Sequence, residues 1–140
     1  MSKTILVNLP VRDLAASTMF YASLGAKRNP QFSNEQASSM MFSDAIGVMR
    51  LTHDHYRQFT KRPIGDARRE SQALLALTVD SREAVDATLA RAVAAGGRGD
   101  PNPVQDHGFM FGRSVEDPDG NVWEIFWMDA AALPSAPASA

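Results

Sequence analysis

Near the start of the chain Ile5, Leu9 and Val11 alternate with Leu6, Asn8 and Pro10, a period of two that predicts a β-strand. Pro10 lacks an amide hydrogen, so that end of the strand is not expected to be centrally paired. Asp13 then predicts the N-cap of a helix over about residues 14–24, which Gly25 closes. Three extended segments follow near residues 26–32, 38–42 and 48–52, separated by turn formers such as Ser33-Asn34 and Ser43-Asp44. The order then recurs. A strand is expected over residues 74–79, and a helix capped by Ser81 runs to about residue 95 and ends at Gly96-Gly97. Extended segments near 98–101, 109–116 and 122–128 complete it. The fold class predicted is α+β, built from two βαβββ modules. The first covers residues 4–53 and the second 72–129, with a connecting segment at 54–71, all within a single domain over 1–129.

Superposing Val11 on Val79 brings Leu6 onto Leu74 and Leu9 onto Leu77, and near the module ends residues 48–51 fall on 122–125. One face of the strands then carries Ile5, Val7, Leu9, Val11, Met49, Leu51, Leu75, Leu77, Val79, Trp123, Ile125 and Trp127. That wholly apolar set is expected beneath the helices. The other face carries Leu6, Asn8, Val48, Arg50, Thr52, Leu74, Ala76, Thr78, Val122, Glu124 and Phe126. Such a mixture suits a cavity with a few placed polar groups.

The last strand is entered through Asp117-Pro118-Asp119-Gly120-Asn121, a tight turn. Glu124 follows between apolar neighbours, where a carboxylate is costly unless it is used or paired. Formal charge is −2 over 140 residues, with both signs scattered. No basic stripe or polybasic cluster points to nucleic acid or an anionic membrane. With no cysteine, disulfides, thiolate metal sites and a Cys nucleophile are excluded. No apolar stretch is long enough to span a bilayer and the first residues do not read as a signal peptide, so a cytoplasmic protein is expected. Residues 130–140, rich in Ala, Pro and Ser, are expected to form a flexible tail.

Several stretches resemble the vicinal oxygen chelate superfamily, which groups glyoxalases, bleomycin-resistance proteins and extradiol dioxygenases. They are Val7-Asn8-Leu9-Pro10-Val11-Arg12-Asp13-Leu14, Phe20-Tyr21, Leu24-Gly25 and the Asp-Pro-Asp-Gly-Asn turn with Glu124. His107-Gly108-Phe109-Met110-Phe111-Gly112-Arg113 is similar to its "predicted lactoylglutathione lyase" branch. The resemblance implies that the paired modules curl into a cup-shaped mixed sheet with helices outside, usually within a homodimer. In metal-dependent members it implies four ligand positions, which fall here on Leu6, Arg50, Leu74 and Glu124. Only Glu124 offers a usual ligand atom, whereas a Zn- or Ni-type ion needs about three or four protein donors. The usual metal site is therefore expected to be absent.

The site expected is Glu124 as the catalytic or pairing acid, with Asn8, Arg50, His107 and Phe126 as ligand-binding residues. Glu124 and Arg50 are expected to form an ion pair in place of a metal, or else Arg50 holds an anionic ligand while Glu124 acts as a base. His53 and His55 read as surface residues, since no third ligand accompanies them. Beside Asp106, His107 is a candidate ligand contact or general base. Trp123 and Trp127 read as core. No Gly-rich phosphate loop precedes a helix. Two functions stand. One is a metal-free protein that binds a small polar or anionic organic molecule with an apolar body. The other is a glyoxalase-type lyase or isomerase, or a dioxygenase, using Zn, Ni, Fe or Mn with Glu124.

Overall fold

The structure, a computed structural model, describes residues 2–132. The first module comprises β1 (Ile5–Val11), α1 (Leu14–Ser23), β2 (Lys27–Arg28), β3 (Ala37–Met41) and β4 (Ile46–Thr52), which form a four-stranded sheet in the order β1-β4-β3-β2. A short helix α2 (His53–Tyr56) and an irregular segment lead to the second module. There β5 (Leu74–Thr78), α3 (Arg82–Ala94), β6 (Arg98–Gly99), β7 (Gln105–Asp106), β8 (Met110–Glu116) and β9 (Val122–Met128) build a sheet ordered β5-β9-β8-β6, with β7 also pairing β8. In each sheet the first and last strands of the module run parallel and the remaining pairs antiparallel. The sheets are mixed and do not close into a barrel.

Local chemistry sets these boundaries. The Asp13 carboxylate accepts from Ala16 N at 3.0 Å and the Ser81 hydroxyl accepts from Ala84 N at 3.0 Å, so each helix starts on a capped amide. β1 is an edge strand, as Pro10 requires. The extension expected over 26–32 stops after Arg28. Asn29 caps a 3₁₀ turn over Pro30–Phe32, where proline's missing donor and fixed φ favour the turn over a ladder. The tail begins with a 3₁₀ turn at Ala130–Ala132, and the rest of the expected flexible segment lies outside the described residues.

One apolar core spans both modules. Phe20 and Tyr21 of α1, Leu24 at its C-cap, and Val85, Leu89 and Ala92 of α3 pack with Val48, Val115, Trp123 and Ile125 from the two sheets. Burying a side chain such as Leu89 or Ile125 contributes about 1.5–3 kcal/mol. Gly97 permits a close approach here, since a Cβ would meet Phe20 Cε1 at 2.7 Å and Val115 Cγ2 at 2.9 Å. The opposite faces of the sheets are open chiefly along the first strand of each module. Leu6 on β1 is 48% exposed and Leu74 on β5 is 54% exposed.

The register corrects the expected faces of β4. Val7 pairs with Val48 and Leu9 with Arg50, whereas in the second module Leu75 pairs with Trp123 and Leu77 with Ile125. Val48 and Arg50 therefore lie on the helix side, and Met49 and Leu51 on the other. The equivalent of Glu124 in the first module is Met49. A shift of one residue turns every side chain of a strand over. Because Val48, Met49 and Leu51 are all apolar, the alternation of this strand reads equally well in either phase.

Candidate functional site

The open face of the second sheet is built on β9, where Val122, Glu124 and Phe126 point the same way. Glu124 is flanked by Ala76 on β5 and Ser114 on β8. Its carboxylate is half-buried and makes no side-chain hydrogen bond or salt bridge among the described residues. Ser114 is closed off, because its hydroxyl accepts from Asn102 N at 3.0 Å and the loop between β6 and β7 lies over it. At the end of the same row, Glu116 is buried and paired with Arg98 at 2.7 Å and with Arg68 at 3.9 Å. Glu124 is thus left as an uncommitted acid on this face, with Phe126 beside it as an apolar wall.

The turn that delivers β9 is anchored from the first module. Asp117 Oδ1 accepts from Asp119 N and Asn121 N, each at 2.9 Å. Its Oδ2 accepts from the Tyr21 hydroxyl at 2.6 Å and from Asn121 Nδ2 at 3.0 Å. Trp123 Nε1 donates to the Tyr21 oxygen at 3.0 Å. Burial and the neighbouring Asp117 charge hold the Tyr21 hydroxyl well above its usual pKa, so it stays a donor. Nothing in the sequence marks Tyr21 as the partner of a turn 96 residues away, and Ser114 and Glu116 likewise carry no local signal.

Arg50 is not on the open face. It is fully buried against α1, where Nε donates to Ser38 O at 3.1 Å, Nη1 to Ser17 Oγ at 3.1 Å and Nη2 to Thr18 Oγ1 at 3.3 Å. Its guanidinium also lies 5.1 Å from the centre of the Tyr21 ring. Burial lowers its pKa to about 10, which leaves it charged at neutral pH. No ion pair joins it to Glu124 among the described residues. The expected Arg50–Glu124 pair and the expected anion-holding Arg50 are both corrected, since hydroxyls on α1 and a carbonyl on β3 draw the guanidinium inward.

Of the other candidates, Phe126 is brought to Glu124 by β9. Asn8 is exposed on β1 of the other sheet, and its amide only reaches Leu6 O at 3.4 Å. His107 lies on the β7–β8 hairpin, level with the Met110–Met128 pair, and its Nε2 stands 3.1 Å from Gln105 Oε1. That is four residues along the ladder from Glu124, about 13 Å. Asp106 is engaged by Arg82 at 2.7 Å and by Gly108 N at 3.1 Å, which holds its pKa down at about 2 and leaves no carboxylate to orient His107. His53 and His55 sit in α2 two residues apart with Asp54 between them, a spacing that sends their side chains to different sides of a helix.

A divalent metal of the kind the fold implies does not fit these residues. Leu6 and Leu74 present hydrocarbon, and Met49 presents a thioether where the register matches Glu124. Among the described residues, no group of three His, Asp or Glu could hold an ion.

The sequence matches the Glyoxalase/Bleomycin resistance protein/Dioxygenase superfamily over residues 5–125. The chain belongs to this superfamily. Similar solved structures include a glyoxalase-related enzyme from Fulvimarina pelagi, at 22% identity and TM-score 0.77, covering 100% of this chain and 96% of that one. A glyoxalase/bleomycin resistance protein/dioxygenase family enzyme from Burkholderia phytofirmans PsJN shares 22% identity at TM-score 0.73, covering 91% and 99%. The fosfomycin resistance protein FosX from Listeria monocytogenes shares 19% identity at TM-score 0.65, covering 97% and 96%. At these identities the structures share the superfamily's fold with this chain and say nothing of its substrate. No curated protein matches. No helix of the described residues is long and apolar enough to cross a membrane.

Proposed function

We propose that this member of the superfamily binds a small organic molecule on the open face around Glu124 and Phe126, without a divalent metal. The observation that carries this reading is the uncommitted carboxylate of Glu124 on a face edged by Val122, Phe126 and exposed Leu74. A few placed polar groups among apolar walls are the usual make-up of a small-molecule site. With Arg50 turned inward, the earlier reason for an anionic ligand is gone. A neutral or cationic molecule that offers Glu124 a hydrogen bond is the better match.

The open faces of both modules are further proposed to be completed by a second copy in a homodimer. Leu6 on edge strand β1 and Leu74 on edge strand β5 are both about half exposed, and apolar edges of this kind favour pairing. The experiment is a thermal-shift screen of small organic amines, amides and alcohols, run alongside sedimentation and elemental analysis of untagged protein. Glu124→Gln should remove a ligand-induced stabilisation that the unmodified chain shows, in metal-free dimers. One equivalent of bound metal, with turnover lost in Glu124→Gln, would replace this reading by the lyase or dioxygenase one.

A further inference from the structure

A cavity of about 250 Å³ opens where the two modules meet; it shares Val122 with the face that carries Glu124, but neither Glu124 nor Phe126 lines it. The end of β1, the start of α2, the connecting segment and the Asp117–Asn121 turn enclose it. Pro10, Ile64, Leu75 and Val122 give it apolar walls. Three carboxylates, Asp66, Glu70 and Asp119, line it with Arg12 and His53, and the Arg68 guanidinium, which donates to Pro118 O, lies near enough to act on Asp119. Neither Arg12 nor any of the three carboxylates enters a salt bridge among the described residues.

Asp119 ties the modules together and is left incomplete. Its Oδ1 accepts from Arg12 N at 3.0 Å, while Oδ2 is buried without a partner. A buried acceptor left unmade is unfavourable, and a donor that reached it would relieve that cost. Burial, the largest cause, also raises the pKa of this carboxyl.

We propose that this cavity is a second binding site, for a small organic cation whose ammonium group pairs with Asp119 and Glu70 while a short aliphatic body lies on Pro10, Ile64 and Leu75. Three acids against Arg12 leave the lining net negative, and the neighbouring Arg68 is paired with Glu116, so the cavity favours a cation over an anion. A metal ion is disfavoured because no three of the acids and His53 stand together as ligands. The volume is slightly below the roughly 300–1,000 Å³ of drug-sized pockets, which sets the guest at a few carbon atoms.

The test is an amide-shift titration of the isotopically labelled full chain with butylammonium chloride, using butyrate and n-butanol as controls of opposite and zero charge. Butylammonium should give saturable shifts at Gly65, Ala67, Ala73 and Gly120, and neither control should saturate. Asp119→Asn keeps the oxygen that accepts from Arg12 N but removes the charge, and should weaken binding at least tenfold. Ala73→Leu fills the cavity and should abolish it. Equal binding of butyrate, or full affinity in Ala73→Leu, would overturn the proposal. So would saturation confined to Leu6, Leu74 and Phe126, which would instead report the open face around Glu124. Should Asp119→Asn fail to fold, Glu70→Gln, on an exposed side chain, reads the same charge and should weaken binding several-fold; unchanged affinity there would overturn the proposal equally.

Discussion

The two modules repeat one plan, yet their last strands place their charged residue on opposite sides. In β9, Glu124 stands on the open face with no partner, and Ile125 beside it fills the core. In β4, Met49 takes the place of Glu124, and Arg50 takes the place of Ile125 within the core. A buried guanidinium is tolerated there because Ser17, Thr18 and Ser38 meet it with oxygen atoms and the Tyr21 ring lies nearby. The last strand of one module therefore carries an unpartnered acid on its open face, while that of the other turns its charge inward and spends it on holding a helix. Charge alone did not separate the two cases; the available hydrogen-bond partners did.

The sharpest way to break this contrast is Arg50→Ala. It should lower unfolding free energy by ~3–5 kcal/mol in denaturant titration, because it leaves a cavity and strands buried acceptors. Arg50→Lys should recover little, since one ammonium cannot span three separated acceptors. If Arg50→Ala instead left stability within about 1 kcal/mol and removed ligand binding, the residue would belong to the open face after all.

Tyr21→Phe comes next. It deletes the hydroxyl shared by Asp117 and Trp123 and should cost about 1–3 kcal/mol, read as a drop in melting temperature. A silent Tyr21→Phe would mean that the Asp117 turn is held by its own Asn121 and Asp119 amides alone. The smallest effect on stability belongs to Glu124→Gln, expected within about 0.5 kcal/mol because that side chain has no partner to lose. A loss well beyond that would show Glu124 to be structural, and the two modules would then be alike in spending their acid or base on the fold.

Much of the architecture was legible from neighbours along the chain. Asp13 and Ser81 announced the helix starts, Gly25 and Gly96 their ends, and Pro10 an edge strand; each signal acts within about four residues. The Asp117–Asn121 turn announced β9 and the phase of Glu124, because Trp123, Ile125 and Trp127 are unambiguous core residues. In the candidate site the sequence located Glu124 and Phe126 together. It misplaced Arg50; Asn8 does lie on the open face of β1, but in the other sheet, and His107 lies on a hairpin distant from Glu124.

What the sequence settled by itself was the main helices and strands, the two-module plan and the resemblance to the superfamily, carried by short-range patterns and by their recurrence along the chain. It missed the 3₁₀ turn at Pro30–Phe32, α2 and β7. Tertiary structure alone decided the register of β4 against β1, the inward course of Arg50, the link from Tyr21 to Asp117 and the cavity at the module junction. Those depend on partners between 12 and 107 residues apart. A strand of nearly uniform apolar residues can present either face to its neighbours, so only the contacts it finally makes can choose between them.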